Sequence, residues 1–187
     1  MAYEDLKGIV KQFEYYKMLG EKTFAQLTDE KLFWQFNNES NSIAVIVKHL
    51  WGNMLSRWTD FLTTDGEKPS RKRDAEFEND IASKNELLKK WNEGWDCLLA
   101  ALNGIKPDDM DKIIYIRNQG HTIMEAIYRQ LAHYSYHVGQ IVYIGKMCSG
   151  DWKSLSIPRG GSNTFNSAKF AKEKHNEHFT DEFIKKE

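Results

Sequence analysis

Cysteine and proline are both scarce in this sequence. Its 187 residues include two cysteines, Cys97 and Cys148, and three prolines. Two cysteines so far apart form neither a disulfide framework nor a cysteine-based zinc site, so we expect the chain to fold without disulfides. Pro69 and Pro107 each follow a long helical pattern, and proline disfavours helical geometry in the residue before it. Both prolines therefore predict connections between helices.

The sequence also has no marked excess of positive or negative charge, and it has no long hydrophobic run. Its 26 basic and 27 acidic residues give a formal net charge of -1. That balance is not typical of proteins that bind nucleic acid or anionic membranes. The longest apolar run, 43–47, is far too short to span a bilayer, and the first residues do not resemble a secretory signal. We therefore expect a cytoplasmic protein that binds neither nucleic acid nor membrane.

One basic run interrupts this balance. Residues 70–73 read SRKR, and Asp74, Glu76 and Glu78 follow directly. Because these acidic residues cancel most of the local positive charge, the segment is interpreted as a solvated junction between a loop and a helix, the usual role of a charge run.

Aromatic residues, in contrast, are plentiful, with six Trp, eight Tyr and ten Phe available for a core. Apolar residues recur at helical spacing in four long segments, at about residues 3–26, 43–63, 77–102 and 122–147. Asn41 or Ser42 is expected to cap the second helix, and Thr122 with Glu125 the fourth. Four long amphipathic helices with mostly short connections predict an all-α protein, a four-helix bundle.

The pattern changes on either side of the fourth helix. Residues 112–117, KIIYIR, predict a short strand or an extended connector before it. After residue 150 the sequence is rich in turn residues, with a weak helix predicted only after Ser167. We expect residues 1–150 to form the bundle and its functional site. Residues 151–187 are expected to form an irregular C-terminal extension that packs on the bundle and frays at its end.

Histidines beside the apolar stripes are the candidate functional residues. His133 and His137 are four residues apart, so they lie one turn apart on one face of the fourth helix. His49 occupies a comparable flank of the second helix, and it could supply a third nitrogen if the two helices touch. Three neutral imidazoles leave metal coordination positions open, as in catalytic sites. On spacing alone, hydrogen-bonded core histidines are the favoured interpretation.

Two helical segments and the tail resemble a known family. SIAVIVKHLWGNMLSRW (42–58) has a histidine in mid-helix after an aliphatic run, and TIMEAIYRQLAHYSYHVGQIVYIGK (122–146) contains an H-x-x-x-H-x-x-Q pattern. Both are similar to ligand-bearing helices of the DinB/YfiT-like superfamily. The segment SIPRGGSNTFN (156–166) resembles a branch of that superfamily whose function is unknown.

This resemblance implies a four-helix bundle in which three histidines bind a divalent transition metal, zinc or nickel. By position the metal ligands are His49, His133 and His137. The superfamily includes metal-dependent thiol transferases, and its members commonly form dimers through bundle helices. The resemblance therefore implies a homodimer that acts on a small-molecule substrate, with a low-molecular-weight thiol as a further partner.

The expected function is a metal-dependent transferase that moves a thiol onto an electrophilic small molecule, or a hydrolase that uses the same metal. The alternative is a stress-associated dimeric bundle that binds metal without catalysis. The sequence reveals no carboxylate base, since Glu125 is explained as a helix cap.

Weaker candidates surround the three histidines. Gln130 and Gln140 flank the pair on the fourth helix and could support the ligands or contact substrate. Arg159 in the tail could bind an anionic substrate, although an exposed loop arginine is the alternative. His175 and His178 lie in a polar terminal segment and are interpreted as solvated. Cys97 and Cys148 have no evident activating partner and are expected to be inert.

Overall fold

The fold is mostly helical, as the sequence predicts. The computed structural model describes residues 2–184, which contain six α-helices and one two-stranded sheet. The helices are α1 (Ala2–Phe24), α2 (Asp29–Leu32), α3 (Ile43–Trp58), α4 (Lys84–Asn103), α5 (Ile123–Cys148) and α6 (Ser162–Phe170). The strands are β1 (Ile113–Ile116) and β2 (Gln119–Thr122). Within these residues no helix combines the length and the apolar character needed to cross a membrane.

The four long helices pack against one another around a shared core. α3 contacts α4 and α5, and α1 contacts the same two helices. Large aromatic side chains fill the space between them, and Phe13 contacts both Trp95 and Tyr134 with ring centroids 6.5 and 6.0 Å apart. Trp91 and Phe24 extend this cluster. Aromatic pairs of this kind contribute stabilisation beyond the burial of their area.

Two predicted helix caps are confirmed. The Ser42 hydroxyl accepts a hydrogen bond from the Val45 amide at 3.2 Å and begins α3. Thr122 and Glu125 form a reciprocal capping box at the start of α5. These caps satisfy amides at the two ends where the histidine-bearing helices begin.

Three predicted helix boundaries are wrong. The third long helix begins at Lys84 rather than near Phe77, because Ser83 caps it by accepting a hydrogen bond from the Glu86 amide. α3 ends at Trp58, five residues before the predicted end, and Asp60 then adopts a positive φ of 47° that a helix does not allow. α6 begins at Ser162, ahead of the predicted position.

The segment KIIYIR contains a strand, in agreement with one of the two predicted alternatives. β1 pairs antiparallel with β2, and Arg117 and Asn118 form the turn with φ of 55° and 60°. The Asp65 carboxylate accepts hydrogen bonds from both turn amides at 2.8 Å. This contact ties the loop after α3 to the hairpin before α5.

The C-terminal segment contacts α1. Lys11 pairs with Asp181 at 2.8 Å, and the Tyr15 ring lies 6.0 Å from Phe179 and 5.5 Å from Phe183. The predicted fraying concerns residues 185–187, which lie outside the described residues. The domain boundary at residue 150 stays a prediction.

Candidate metal centre

Three histidines from two helices meet on one side of the core. His49 lies in the middle of α3, and His133 and His137 lie one turn apart on α5. The Nε2 atom of His133 is 3.3 Å from Nε2 of His49 and 3.1 Å from Nε2 of His137. One ligand atom from each histidine lies within 4.8 Å of the others, close enough to hold a metal ion.

A buried hydrogen-bonded group aligns the two helices beside these histidines. The Tyr134 hydroxyl donates to Asn53 Oδ1 and accepts from Trp58 Nε1, both at 3.0 Å. Burial raises the pKa of Tyr134 well above its ordinary value, so the hydroxyl keeps its proton. Because Tyr134 follows His133 directly, this contact sets the register in which His133 faces His49.

The outer nitrogens of two histidines have oxygen partners. His49 Nδ1 lies 2.9 Å from Glu76 Oε2, and His137 Nδ1 lies 2.8 Å from Gln140 Oε1. A ring nitrogen that faces a carboxylate or an amide oxygen carries the proton, which leaves the lone pair of a neutral ring on Nε2. This is the arrangement that orients histidine ligands in metal sites.

The inner nitrogens therefore form a cluster of acceptors that the protein alone does not satisfy. One proton on His133 Nε2 could bridge to one neighbour but not fully to both, and His133 Nδ1 is buried without a partner among the described residues. Nitrogens around a tetrahedral zinc lie about 3.3 Å apart, since Zn–N bonds are ~2.0–2.1 Å. Spacings of 3.1 and 3.3 Å fit that requirement. The three side chains thus fit a divalent transition metal.

The same crowding keeps the imidazoles on α5 neutral. Burial, followed by the proximity of His137 and His49, lowers the pKa of His133 from 6.5 to about 3. Burial also lowers the pKa of His137, although its hydrogen bond to Gln140 opposes the shift. A neutral imidazole is the form that binds metal, so the site is ready to coordinate at neutral pH.

Glu76 joins His49 to a buried arginine. Arg71 Nε donates to Glu76 Oε1 at 2.7 Å, and Arg71 Nη2 donates to Oε2 at 2.9 Å. The side chains of Arg71 and Glu76 are only 4% and 6% exposed. Burial by itself would raise the pKa of Glu76, but hydrogen bonds from His49 and Arg71 and the arginine charge lower it below its ordinary value. Glu76 is therefore an ionised carboxylate that faces the Nδ1–H of His49.

A short 3-10 turn, Asp74–Phe77, carries Glu76 onto α3. Lys48 holds this turn through the carbonyl oxygens of Ala75 and Glu78. Gly52 permits the close approach, because a Cβ atom there would lie 2.7 Å from Glu76 Cδ. Phe77 stacks on the His49 ring with centroids 4.9 Å apart and planes inclined by 26°. The turn therefore fixes both the position and the orientation of His49.

The interpretation of residues 70–78 as a solvated junction is wrong for two residues. The side chains of Arg71 and Glu76 are buried and paired with each other, while Lys72, Arg73, Asp74 and Glu78 are exposed. Along the sequence the charges of this segment cancel locally, which is typical of a solvated run. The pairing of Glu76 with His49, which is 27 residues away, arises only in the folded chain.

The structure places the weaker candidates in different surroundings. Gln140 contacts His137, as described above. Gln130 is buried at 3% exposure, and its Oε1 atom has no partner among the described residues. Arg159 is exposed in the segment before α6 and forms no hydrogen bond with the three histidines. The roles of Gln130 and Arg159 in substrate binding stay predictions.

Acid should destabilise the metal-free protein through His133. Its unfolded form binds a proton as the pH falls below about 6.5, whereas the folded form resists protonation until about 3. The contribution of His133 to the free energy of unfolding is therefore fully present above pH 6.5 and is lost as the pH falls toward 3. Near pH 5 the difference of one proton corresponds to about 1.4 kcal/mol per pH unit.

Urea denaturation of the metal-free wild type and of His133→Gln at pH 5.0, 5.5 and 6.0 measures this dependence. As the pH falls, the free energy of unfolding should decrease less steeply in the variant than in the wild type. The two slopes should differ by roughly the contribution of one bound proton. Equal slopes would contradict the burial of a neutral His133.

Comparison with known proteins gives a family without an assigned activity. No curated protein and no solved structure matches the chain. The profile of a family described as "Protein of unknown function (DUF1572)" matches residues 1–161, which include α1 to α5 and all three histidines. The chain is therefore a member of the DUF1572 family, whose function is uncharacterised.

Proposed function

We propose that this protein is a metal-dependent enzyme built on a four-helix bundle of the DinB/YfiT-like type. His49, His133 and His137 would hold one divalent transition metal, zinc or nickel. The observation that carries the proposal is the convergence of three histidine Nε2 atoms, with the rings of His49 and His137 held from behind by Glu76 and Gln140. Structural zinc sites have four protein ligands, whereas three leave room for a substrate.

The reaction we propose is transfer of a low-molecular-weight thiol to an electrophilic small molecule. A divalent metal held by imidazoles lowers the pKa of a thiol or a water molecule that it binds. In the transfer the thiol sulfur forms a bond to an electrophilic carbon, the leaving group departs with the electron pair of its bond, and the thiol proton passes to solvent. Hydrolysis of an electrophile by water is the related reaction at the same site.

The chain's own cysteines favour a thiol supplied from outside. Burial raises the pKa of Cys97 and of Cys148. Both sulfurs therefore stay protonated at neutral pH and are weak nucleophiles. Neither cysteine contacts the histidine cluster among the described residues.

Among the described residues, no carboxylate beside the three histidines is free to accept the proton that the thiol releases. Glu76 already accepts hydrogen bonds from His49 and Arg71, and both of its carboxylate oxygens are used. We infer that Glu76 orients His49 and that bulk solvent or buffer accepts the proton. His137 is held in the same way by Gln140.

Zinc-loaded protein incubated with glutathione, cysteine or coenzyme A and 1-chloro-2,4-dinitrobenzene tests the proposal. Aryl thioether formation should exceed that of His133→Ala by at least roughly tenfold for one of the thiols, since a catalytic metal lowers the barrier by several kcal/mol. Hydrolysis of 4-nitrophenyl acetate, measured in parallel, tests the related reaction. Zinc binding without a rate above His133→Ala in either assay would favour the non-catalytic alternative.

A further inference from the structure

A cavity of about 350 Å³ lies one helical turn from the histidine cluster. Ile46 and Gln140 line it, and they precede His49 and follow His137 by three residues. Three residues along a helix correspond to ~4.5 Å, so an occupant of the cavity would lie next to the turns of α3 and α5 that carry His49 and His137. The opposite wall is the irregular segment between α2 and α3.

The walls of this cavity are aromatic and nearly uncharged. Trp34, Phe36, Tyr143 and Met147 line it although they are 37%, 71%, 67% and 51% exposed. Glu39 is the one charged lining residue in the part of the chain that the structure describes. Exposed apolar side chains gathered around a concavity mark binding sites, and 300–1,000 Å³ is the usual size for small molecules.

A larger cavity of about 670 Å³ has a different character. It lies beside α3 on the outer side of Glu76 and, like the smaller cavity, is lined by none of the three histidines. Its lining cations are largely engaged: Lys48 binds two carbonyl oxygens and Asp80, and Arg71 binds Glu76. Seven of its lining side chains among the described residues are charged, compared with Glu39 alone in the smaller cavity, so the smaller cavity is the better candidate for an uncharged substrate.

Gln140 supplies a polar group between the cavity and the cluster. Its Oε1 atom accepts the hydrogen bond from His137 Nδ1 at 2.8 Å. Its amide nitrogen donates to no protein group within the described residues, so its hydrogen atoms are free for a ligand. A ligand that satisfies it carries a hydrogen-bond acceptor such as a carbonyl or nitro oxygen.

We propose that this cavity binds the electrophilic acceptor and that the acceptor is an uncharged aromatic molecule with a hydrogen-bond acceptor group. The ring lies among Trp34, Phe36 and Tyr143, and the polar group points to Gln140. The assignment of the ligand as acceptor rests on the proposed thiol transfer. The recognition of an uncharged aromatic molecule does not depend on that reaction.

Two nearly isosteric probes test the recognition, 2-acetylnaphthalene, which is neutral, and 2-naphthoate, which is an anion. Calorimetric titration should show that 2-acetylnaphthalene binds at least roughly tenfold more tightly, because burying an uncompensated carboxylate is costly. Tyr143→Asp should weaken its binding by a similar factor. Tyr128→Asp is the matched control, since Tyr128 is an exposed tyrosine of the same helix that does not line the cavity.

Equal binding by Tyr143→Asp and Tyr128→Asp, or equal binding of the two probes, would overturn the inference. A second copy of the chain is the competing occupant of the cavity. Sedimentation that gives a dimeric wild type, a monomeric Tyr143→Asp and no bound probe would also overturn it. Circular dichroism verifies that both variants are folded.

The place of the probe relative to the histidines is tested separately with cobalt(II) in place of zinc. Faster proton relaxation of bound 2-acetylnaphthalene in the cobalt form supports the acceptor role, and unchanged relaxation would overturn that role. If no metal binds, or no thiol is transferred, while the neutral probe still binds and depends on Tyr143, then the proposed function fails and the recognition of the aromatic ligand stands.

Discussion

Zinc is expected to raise the melting temperature of the wild-type protein and to leave that of His133→Ala nearly unchanged. A ligand that binds only the folded state at 100 times its Kd adds about 2.7 kcal/mol to the free energy of unfolding. For a chain of this size that corresponds to about 5–10 °C. Loss of His133 should largely abolish zinc binding because the Nε2 atom of His133 lies within 3.3 Å of the Nε2 atoms of both His49 and His137.

Differential scanning calorimetry with and without zinc measures this shift, and elemental analysis gives the zinc content. The wild type should hold one zinc per chain. His175→Ala is the matched control, because His175 is an exposed histidine in the C-terminal segment. Loss of the zinc effect in His175→Ala, or its persistence in His133→Ala, would place the site elsewhere.

The long helices were predictable because each one buries a wide apolar stripe. Ile43, Leu50 and Trp58, which lie at helical spacing in the second predicted helix, are at most 3% exposed. The error at the start of α4 has a recognisable cause. Phe77 and Ile81 extend the helical spacing of apolar residues upstream of α4, but the Ser83-x-x-Glu86 arrangement is a typical helix start.

The meeting of the three histidines was predicted by resemblance rather than by spacing. Periodicity places His133 and His137 on one face of α5, but nothing in it says that His49 lies opposite. That depends on how α3 and α5 align, which Tyr134, Asn53 and Trp58 determine through contacts between residues distant in sequence. Local patterns carry no information about such pairs.

Glu76 was missed for the same physical reason. It lies in a segment whose charges cancel locally, and its partner His49 is separated from it by the whole loop after α3. One signal was present in the sequence. Gly52 lies three residues after His49 on the helix, and a glycine within a strong helical pattern suggests close approach of another chain segment. Here that segment is the turn that carries Glu76.

Glu76→Gln is expected to lower both the stability of the protein and its affinity for zinc. The substitution leaves Arg71 buried with only the more distant Glu67, at 3.3 Å, as a counter-ion. Removing one partner of a buried pair costs 3–5 kcal/mol, so we expect about 3 kcal/mol in urea denaturation. Zinc affinity should fall by roughly 10–100-fold, as for other partners that orient histidine ligands.

Two further variants separate these effects. Glu78→Gln removes an exposed carboxylate two residues away and should change neither quantity. Arg71→Lys keeps the buried positive charge but cannot form the two parallel hydrogen bonds to Glu76. This variant should therefore be less stable than the wild type but retain most of its zinc affinity. If Glu76→Gln binds zinc as tightly as Glu78→Gln, then Glu76 serves only to neutralise Arg71. If zinc affinity falls in Glu76→Gln alone, the carboxylate holds the Nδ1–H of His49, and the metal site extends beyond the three histidines to the turn that packs on α3.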